Sequence, residues 1–252
     1  MSAIFADTCC DLDAKQVKKL NINLVDLDKK DVFEAFKKAF QPYLDEEEDI
    51  IYLSTNLDNV KDYFEKAVNY FSGLYERRVI KAIDLNQTSV GAGLVVYEAG
   101  LMYKRGCTDL EITQFVEKFK KEVYGLLISQ NKDYLSNCNN LEKINMSGSF
   151  NLISPIVFIK STNADIIDKA QGKKRAITSM CNYIKANCVN VADYPLIVGY
   201  FDDEVNAEYL KASIIKNLGE DAVVLLQKFN QTNKDLMGKN ALFVAFYSKK
   251  LR

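Results

Sequence analysis

Ala3-Ile4-Phe5-Ala6-Asp7-Thr8-Cys9-Cys10-Asp11-Leu12 opens apolar and then breaks into short polar residues, and about 80 residues later the chain repeats that form. There Ala82-Ile83-Asp84-Leu85-Asn86-Gln87-Thr88-Ser89-Val90-Gly91-Ala92-Gly93-Leu94 runs into Val95-Val96-Tyr97-Glu98-Ala99. Each stretch reads as a strand, then Asp and hydroxyl residues, then a helix. In an open α/β sheet, ligands collect at such turns, where the free N–H groups of a helix start face a crevice. The pair predicts a single ligand-facing edge.

Outward from these two turns, short apolar runs at 3–5, 22–25, 50–53, 79–83 and 124–128 read as strands. Between them Val32, Phe33, Phe36, Ala39 and Phe40 form one stripe, and Val60, Tyr63, Phe64, Ala67 and Phe71 another. Intervals of three and four are the period of a core-facing helix, so these aromatics are expected in the core. Alternating β and α elements predict a mainly parallel sheet covered by helices. The character changes after about residue 130, where the Asn-rich 136–140 reads as a loop. A strand at 155–159 starts with Pro, and helices at 173–186 and 204–218 sit among strands at 196–200, 222–226 and 241–247. The expected architecture is α/β with two domains: a Rossmann-like parallel-sheet domain over 1–150 and an α+β domain over 151–252.

Charge and composition exclude several function classes. Thirty-three basic residues against 34 acidic ones leave a net charge of −1. No clustered basic face suggests a nucleic-acid partner, and Lys118, Lys120 and Lys121 read as a solvated helix face. No run approaches the ~18–20 apolar residues of a membrane span, and the N-terminus lacks the pattern of a signal peptide. The six cysteines have no metal-type spacing, which fits free thiols in a reducing cytoplasm. The chain contains no histidine, which removes Ser-His-Asp and Cys-His catalysis and ordinary His-based zinc sites. An enzyme would have to work with carboxylates, Lys, Tyr or a carboxylate-held magnesium. No cofactor is expected.

At these residues the sequence resembles the DegV family, two-domain fatty-acid-binding proteins that include the binding subunit of bacterial fatty acid kinase. Asp7-Thr8-Cys9-Cys10-Asp11-Leu12 resembles the family's opening turn, and Ile83-Asp84 with Ser89-Val90-Gly91-Ala92-Gly93-Leu94 and Glu98-Ala99 its central turn and helix. Tyr134-Leu135, Gly148-Ser149 and Ile153-x-Pro155-Ile156 resemble the run into its second domain, and Gly172-Lys173-Lys174-Arg175-Ala176-Ile177 its basic helix start. The resemblance implies a cytoplasmic lipid-binding protein that holds a fatty acid or other acyl lipid between two domains and presents it to a kinase-type partner. It also implies Met146, Phe150, Ile153 and Ile156 as the lining of an elongated apolar tunnel. The chain departs from the family pattern at several points. It lacks a Thr-Ser-Gln-Pro segment after the second strand, and Ser54-Thr55-Asn56-Leu57-Asp58-Asn59 carries Asp58 in place of a serine. Gln171 stands for the usual arginine, and the late histidine is absent. The alternative is a degenerate homologue that has lost fatty-acid binding and acts as an interaction protein.

The candidate ligand residues are Ser89, Thr8 and Thr88 at the two turns, Ser54 and Thr55 after the third strand, Asp58, Gly91, Gly93 and Ile153. Each has a structural role to weigh against ligand contact. The hydroxyls are natural helix N-caps, worth about 1 kcal/mol each. Gly91 and Gly93 either admit a ligand or pack a helix against a sheet. Asp58, if beside an anionic head group, would repel it. A magnesium site at Asp7, Asp11 and Asp84, serving phosphoryl transfer, is a remote alternative.

Overall fold

A computed structural model describes residues 2–27, 31–144 and 152–251 of the chain. Its first lobe is a parallel sheet of β1 (Ala3–Asp7), β2 (Asn23–Val25), β3 (Ile50–Ser54) and β4 (Ile80–Asp84), in the order β2-β1-β3-β4. Successive side chains of a strand point to opposite faces, so the sheet builds two cores. On one face Phe5 and Tyr52 pack against Phe36 and Phe40 of α2 (Val32–Asp45) and Phe64 and Phe71 of α3 (Lys61–Ser72). The aromatic stripes are therefore core, and their rings meet mostly edge to face. On the other face Ile4, Ala6, Ile51, Leu53 and Ile83 join a second core with the helix that follows the Ser89 turn.

That helix, α4 (Val90–Lys104), has apolar residues on every side, and Val90 through Gly100 are all buried. A helix that is hydrophobic all round belongs between two layers. Here it lies between the first sheet and a six-stranded second sheet of order β7-β6-β5-β10-β8-β9. The strands of that sheet are β5 (Val123–Ile128), β6 (Ile153–Lys160), β7 (Asn163–Gln171), β8 (Leu196–Tyr200), β9 (Val224–Lys228) and β10 (Leu242–Tyr247). They pair antiparallel except for β8 and β9. Two helices, α7 (Lys173–Asn187) and α8 (Glu204–Leu218), cover its far face. The remaining helices are α1 (Ala14–Leu20), α5 (Asp109–Phe119), α6 (Lys132–Ser136) and α9 (Gln231–Met237).

The expected fold class holds, with two corrections. β5, read as a further strand of the parallel sheet, is antiparallel to both β10 and β6 in the second sheet. An apolar run specifies a strand, but its partner is chosen by contacts distant in sequence. A division at residue 150 would thus separate a bonded pair of strands, with Tyr124 opposite Lys160 and Ile128 opposite Ile156. Secondly, β7 was not anticipated; it is an edge strand whose charged residues Asp165, Asp168 and Lys169 mask its alternation. Met146, Gly148, Ser149 and Phe150 lie outside the described residues. Among the described residues, no helix is long and apolar enough to cross a membrane.

Candidate functional site: a cleft between the two lobes

The carboxyl ends of β1, β3 and β4 converge on one side of the first sheet, as the paired turns predict. Asp7 ends β1 and is fully buried. Its carboxylate accepts from Cys9 N–H at 3.1 Å, from Thr55 N–H at 2.8 Å and from the Thr55 hydroxyl at 3.1 Å. It thereby caps the short 3-10 turn Thr8–Cys10 and ties it to the end of β3. Asp84 does the same at β4, accepting from Leu57 N–H at 3.1 Å and Asn86 N–H at 3.0 Å. Burial raises the Asp7 carboxyl above its ordinary range, and the bonds from Thr55 and Cys9 partly offset this.

The next acidic residue, Asp11, ties the lobes together. It adopts a left-handed backbone (φ 56°) and is buried. Its carboxylate accepts from Ser89 Oγ at 2.6 Å, from Asn230 N–H at 2.7 Å and from Asn233 Nδ2 at 2.7 Å. Further bonds fasten this segment to α9 and β9: Asn233 Nδ2 donates to Cys9 O at 2.8 Å, and Asp13 N–H donates to Gln227 Oε1 at 2.7 Å. Desolvation pushes the Asp11 carboxyl up to about 7, with its donors acting in the opposite sense.

Between these turns and the second lobe lies a cleft of about 290 Å³. The first lobe contributes Cys9, Thr55, Asn56, Asn59, Gln87, Thr88 and Ser89. The second contributes Tyr134, Ile159, the β6–β7 turn Ser161-Thr162, and Thr232, Asn233 and Leu236 of α9. No charged side chain is among these described residues, so polarity comes from hydroxyls, amides and the start of α4. Ser89 stands at the N-cap of that helix without capping it, at φ 50° and ψ −132°. Such a backbone costs a non-glycine residue about 1–3 kcal/mol and is typical of ligand clamps. The uncapped N–H groups of a 15-residue helix start beside it. A larger open groove of about 600 Å³ runs along β2 and α2, but among the described residues Asp26, Asp31 and Glu34 outnumber Lys38 in its lining, which disfavours an anion.

The candidate residues separate clearly. Ser89, Thr88 and Thr55 line the cleft. Thr8 does not, and its neighbour Cys9 takes that place; Thr8 Oγ1 is buried with no hydrogen-bond partner among the described residues. Ser54 is fully buried, and its carbonyl accepts from Leu85 N–H. Asp58 is exposed and lies outside the lining. Gly91 and Gly93 are packing residues in the first turn of α4, facing Gln87 and Cys10. Ile153 begins β6, whereas Ile159, six residues along and about 20 Å away at strand rise, reaches the cleft. Ile156 packs under α7 and α8 on the far face of the second sheet. Asp7, Asp11 and Asp84 engage separate donors, and among the described residues no three His, Cys, Asp or Glu side chains gather in a metal-binding group. The whole α9 wall was missed. Its signal was present in Phe229-Asn230-Gln231-Thr232-Asn233, a third strand-to-helix turn whose Asn230 caps the helix through Asn233 N–H at 2.8 Å.

Two lobes, a parallel sheet opening onto the cleft and a buried connecting helix define a two-domain α/β fold with an inter-lobe cleft. The family model described as "Uncharacterised protein, DegV family" matches residues 32–249, and the chain belongs to the DegV family. A DegV domain-containing protein of Caldanaerobacter subterraneus subsp. tengcongensis is 22% identical over 209 residues, 77% of this chain and 75% of the relative. A stearic acid-binding protein of Eubacterium ventriosum has the same fold, with a TM-score of 0.75, 14% identity and 99% of each chain covered. A DegV family protein of Thermus thermophilus, described for its fatty acid binding, matches with a TM-score of 0.75 and 16% identity over 97% of this chain and 99% of its own.

Proposed function

We propose that this protein binds a long-chain fatty acid in the inter-lobe cleft, with the carboxylate at the start of α4 and the chain against Tyr134, Ile159 and Leu236. One observation carries the reading: the strained Ser89 and its neighbour Thr88 meet an uncapped helix N-terminus at the cleft wall. Free N–H groups and hydroxyls are the donors a desolvated carboxylate requires when no cation is supplied. Fold relatives that bind stearic and other fatty acids support the same chemistry. The cleft is at the small end of ligand sites, ~300 Å³, so a long chain needs the apolar wall to move apart. The reading is of a binding protein rather than an enzyme: the chain has no histidine, and the carboxylates beside Ser89 and Thr55 are buried behind the cleft wall, each committed to several donors. Presentation of the bound acid to a kinase-type partner belongs to the same proposal and rests on the sequence resemblance alone.

The test is the mass of the purified protein under native and denaturing conditions, followed by titration of delipidated protein with hexadecanoate. Native mass should exceed denatured mass by that of one fatty acid, and hexadecanoate should bind with 1:1 stoichiometry. Equal masses together with no binding would leave an empty scaffold, the interaction-protein alternative.

A further inference from the structure

The hydroxyl best placed for the head group is already committed. Ser89 Oγ is 2.6 Å from Asp11 Oδ2, and both side chains are buried. An ionised carboxylate only accepts. With Asp11 charged, the single Ser89 hydrogen must point at Asp11, and only oxygen lone pairs face the cleft. Those lone pairs oppose an incoming carboxylate.

A proton on Asp11 reverses this bond. The Asp11 O–H then donates to Ser89 Oγ, and the Ser89 hydrogen turns toward the cleft. The other partners need no rearrangement: Asn230 N–H still finds a lone pair on Oδ1, and Asn233 Nδ2 one on Oδ2. We infer that binding of an anionic carboxylate beside Ser89 is coupled to uptake of one proton by Asp11, with Ser89 relaying the change across the cleft wall; this rests on the proposed fatty-acid site. The proton comes from solvent, Ser89 keeps its own hydrogen, and no bond to the ligand forms or breaks.

The surroundings favour this exchange. Burial pushes the Asp11 carboxyl up to about 7, and the Asp7 carboxylate on the same turn adds to the rise. The thiols of Cys9 and the buried Cys10 are the other titratable neighbours on that turn. From α4 and from the β9–α9 connection the facing groups are Ser89, Asn230 and Asn233, none of which titrates. Among the described residues no lysine or arginine forms an ion pair with Asp11. A bound carboxylate adds a further negative charge nearby and raises the proton affinity of Asp11 again. By reciprocity, protonation of Asp11 tightens the ligand by the same factor.

The experiment is calorimetric titration of delipidated protein with hexadecanoate from pH 5.5 to 9, in phosphate and in Tris. The two buffers differ in ionisation enthalpy and so report the number of protons taken up. Wild-type protein should take up close to one proton per ligand at pH 8, and its affinity should fall about tenfold per pH unit above the Asp11 pKa while staying flat below pH 6. Asp11→Asn removes the titrating proton and tolerates the left-handed backbone there; its amide can donate to Ser89 once the Asn233 Nδ2 donor, 2.7 Å from the Oδ2 position, turns away. This variant should bind at pH 8 with no proton uptake and no pH slope. Ser89→Ala removes the relay and should bind more weakly with a flattened slope.

Tight wild-type binding at pH 8 without proton uptake would overturn the coupling and leave the fatty-acid site standing. Proton uptake that persists in Asp11→Asn would place the proton on the ligand or elsewhere, and would overturn it equally. Absence of hexadecanoate binding at every pH would instead sink the proposed function and the coupling with it. Should Asp11→Asn fail to fold, the wild-type proton count and the Ser89→Ala slope still decide.

Discussion

Gly93 of α4 lies so close to the first turn that a Cβ built on it would sit 2.4 Å from the Cys10 carbonyl oxygen. The obstacle is backbone, which cannot swing aside. The missing side chain lets the buried helix approach the turn carrying Asp7, Cys9 and Asp11, and so sets one wall of the cleft.

Gly93→Ala should therefore cost about 1–3 kcal/mol of stability as overpacking, despite the gain of about 1 kcal/mol that Ala brings to a helix interior. Gly91→Ala is the milder comparison, because its Cβ would press on the Gln87 side-chain oxygen at 2.9 Å, a side chain rather than backbone, although one held by its Nε2 bond to the Lys120 carbonyl. Urea unfolding midpoints should separate the two variants, with Gly91→Ala nearer wild type. Equal midpoints would show that α4 shifts without cost.

Glu98 is buried in the middle of α4, and its Oε1 has no hydrogen-bond partner among the described residues. Burial pushes its carboxyl up to about 7, with Arg105 partly offsetting. Between the unfolded value near 4.5 and about 7, the folded state binds the extra proton. The stability this contributes is complete below about pH 4.5 and is lost as pH rises through 7. Glu98→Gln should remove that dependence and stabilise the protein at pH 8 by on the order of 2–3 kcal/mol. Unfolding free energies at pH 5.5 and pH 8 check this; parallel losses in both proteins would assign the slope to other groups.

Ser89→Ala should weaken hexadecanoate binding by about 0.5–1.5 kcal/mol at pH 6, the worth of a neutral hydrogen bond. Thr8→Val should leave affinity unchanged, since Thr8 is outside the lining. It should also hold or raise the melting temperature, because a buried hydroxyl without a partner is replaced by a methyl. Similar losses of affinity in both variants would move the head group toward the β1 turn.

Leu236 and Asp58 test the boundary of the cleft. Leu236 lines it while remaining 46% exposed, so Leu236→Trp should block the apolar wall and weaken binding at least tenfold, with stability within about 0.5 kcal/mol. Asp58 is exposed and outside the lining, so Asp58→Ser should leave both affinity and pH dependence unchanged. Tighter binding by Asp58→Ser would restore the like-charge conflict expected from the sequence.

Local periodicity carries its own physical cause, and the features that depend on it were legible in the chain. The strand-to-helix turns after β1 and β4, the aromatic stripes of α2 and α3, and the spans Leu196–Tyr200 and Glu204–Leu218 all depend on residues a few positions apart. The family resemblance was equally local, because it rests on short turns in register. From these, a two-lobed α/β protein whose first sheet ends in turns at Thr8–Asp11 and Thr88-Ser89 was legible in the sequence alone. Only the tertiary structure placed β5 in the second sheet, brought the Ser161-Thr162 turn and α9 across to close the cleft, and moved Asp58 and Ile153 away from it. It alone joined Asp11 to Ser89, 78 positions apart, and to Asn233, 222 apart. Strand partners and buried hydrogen-bond partners are chosen when distant segments pack. A polar residue in a turn shows that it needs a partner, but its neighbours in sequence do not show which one it takes.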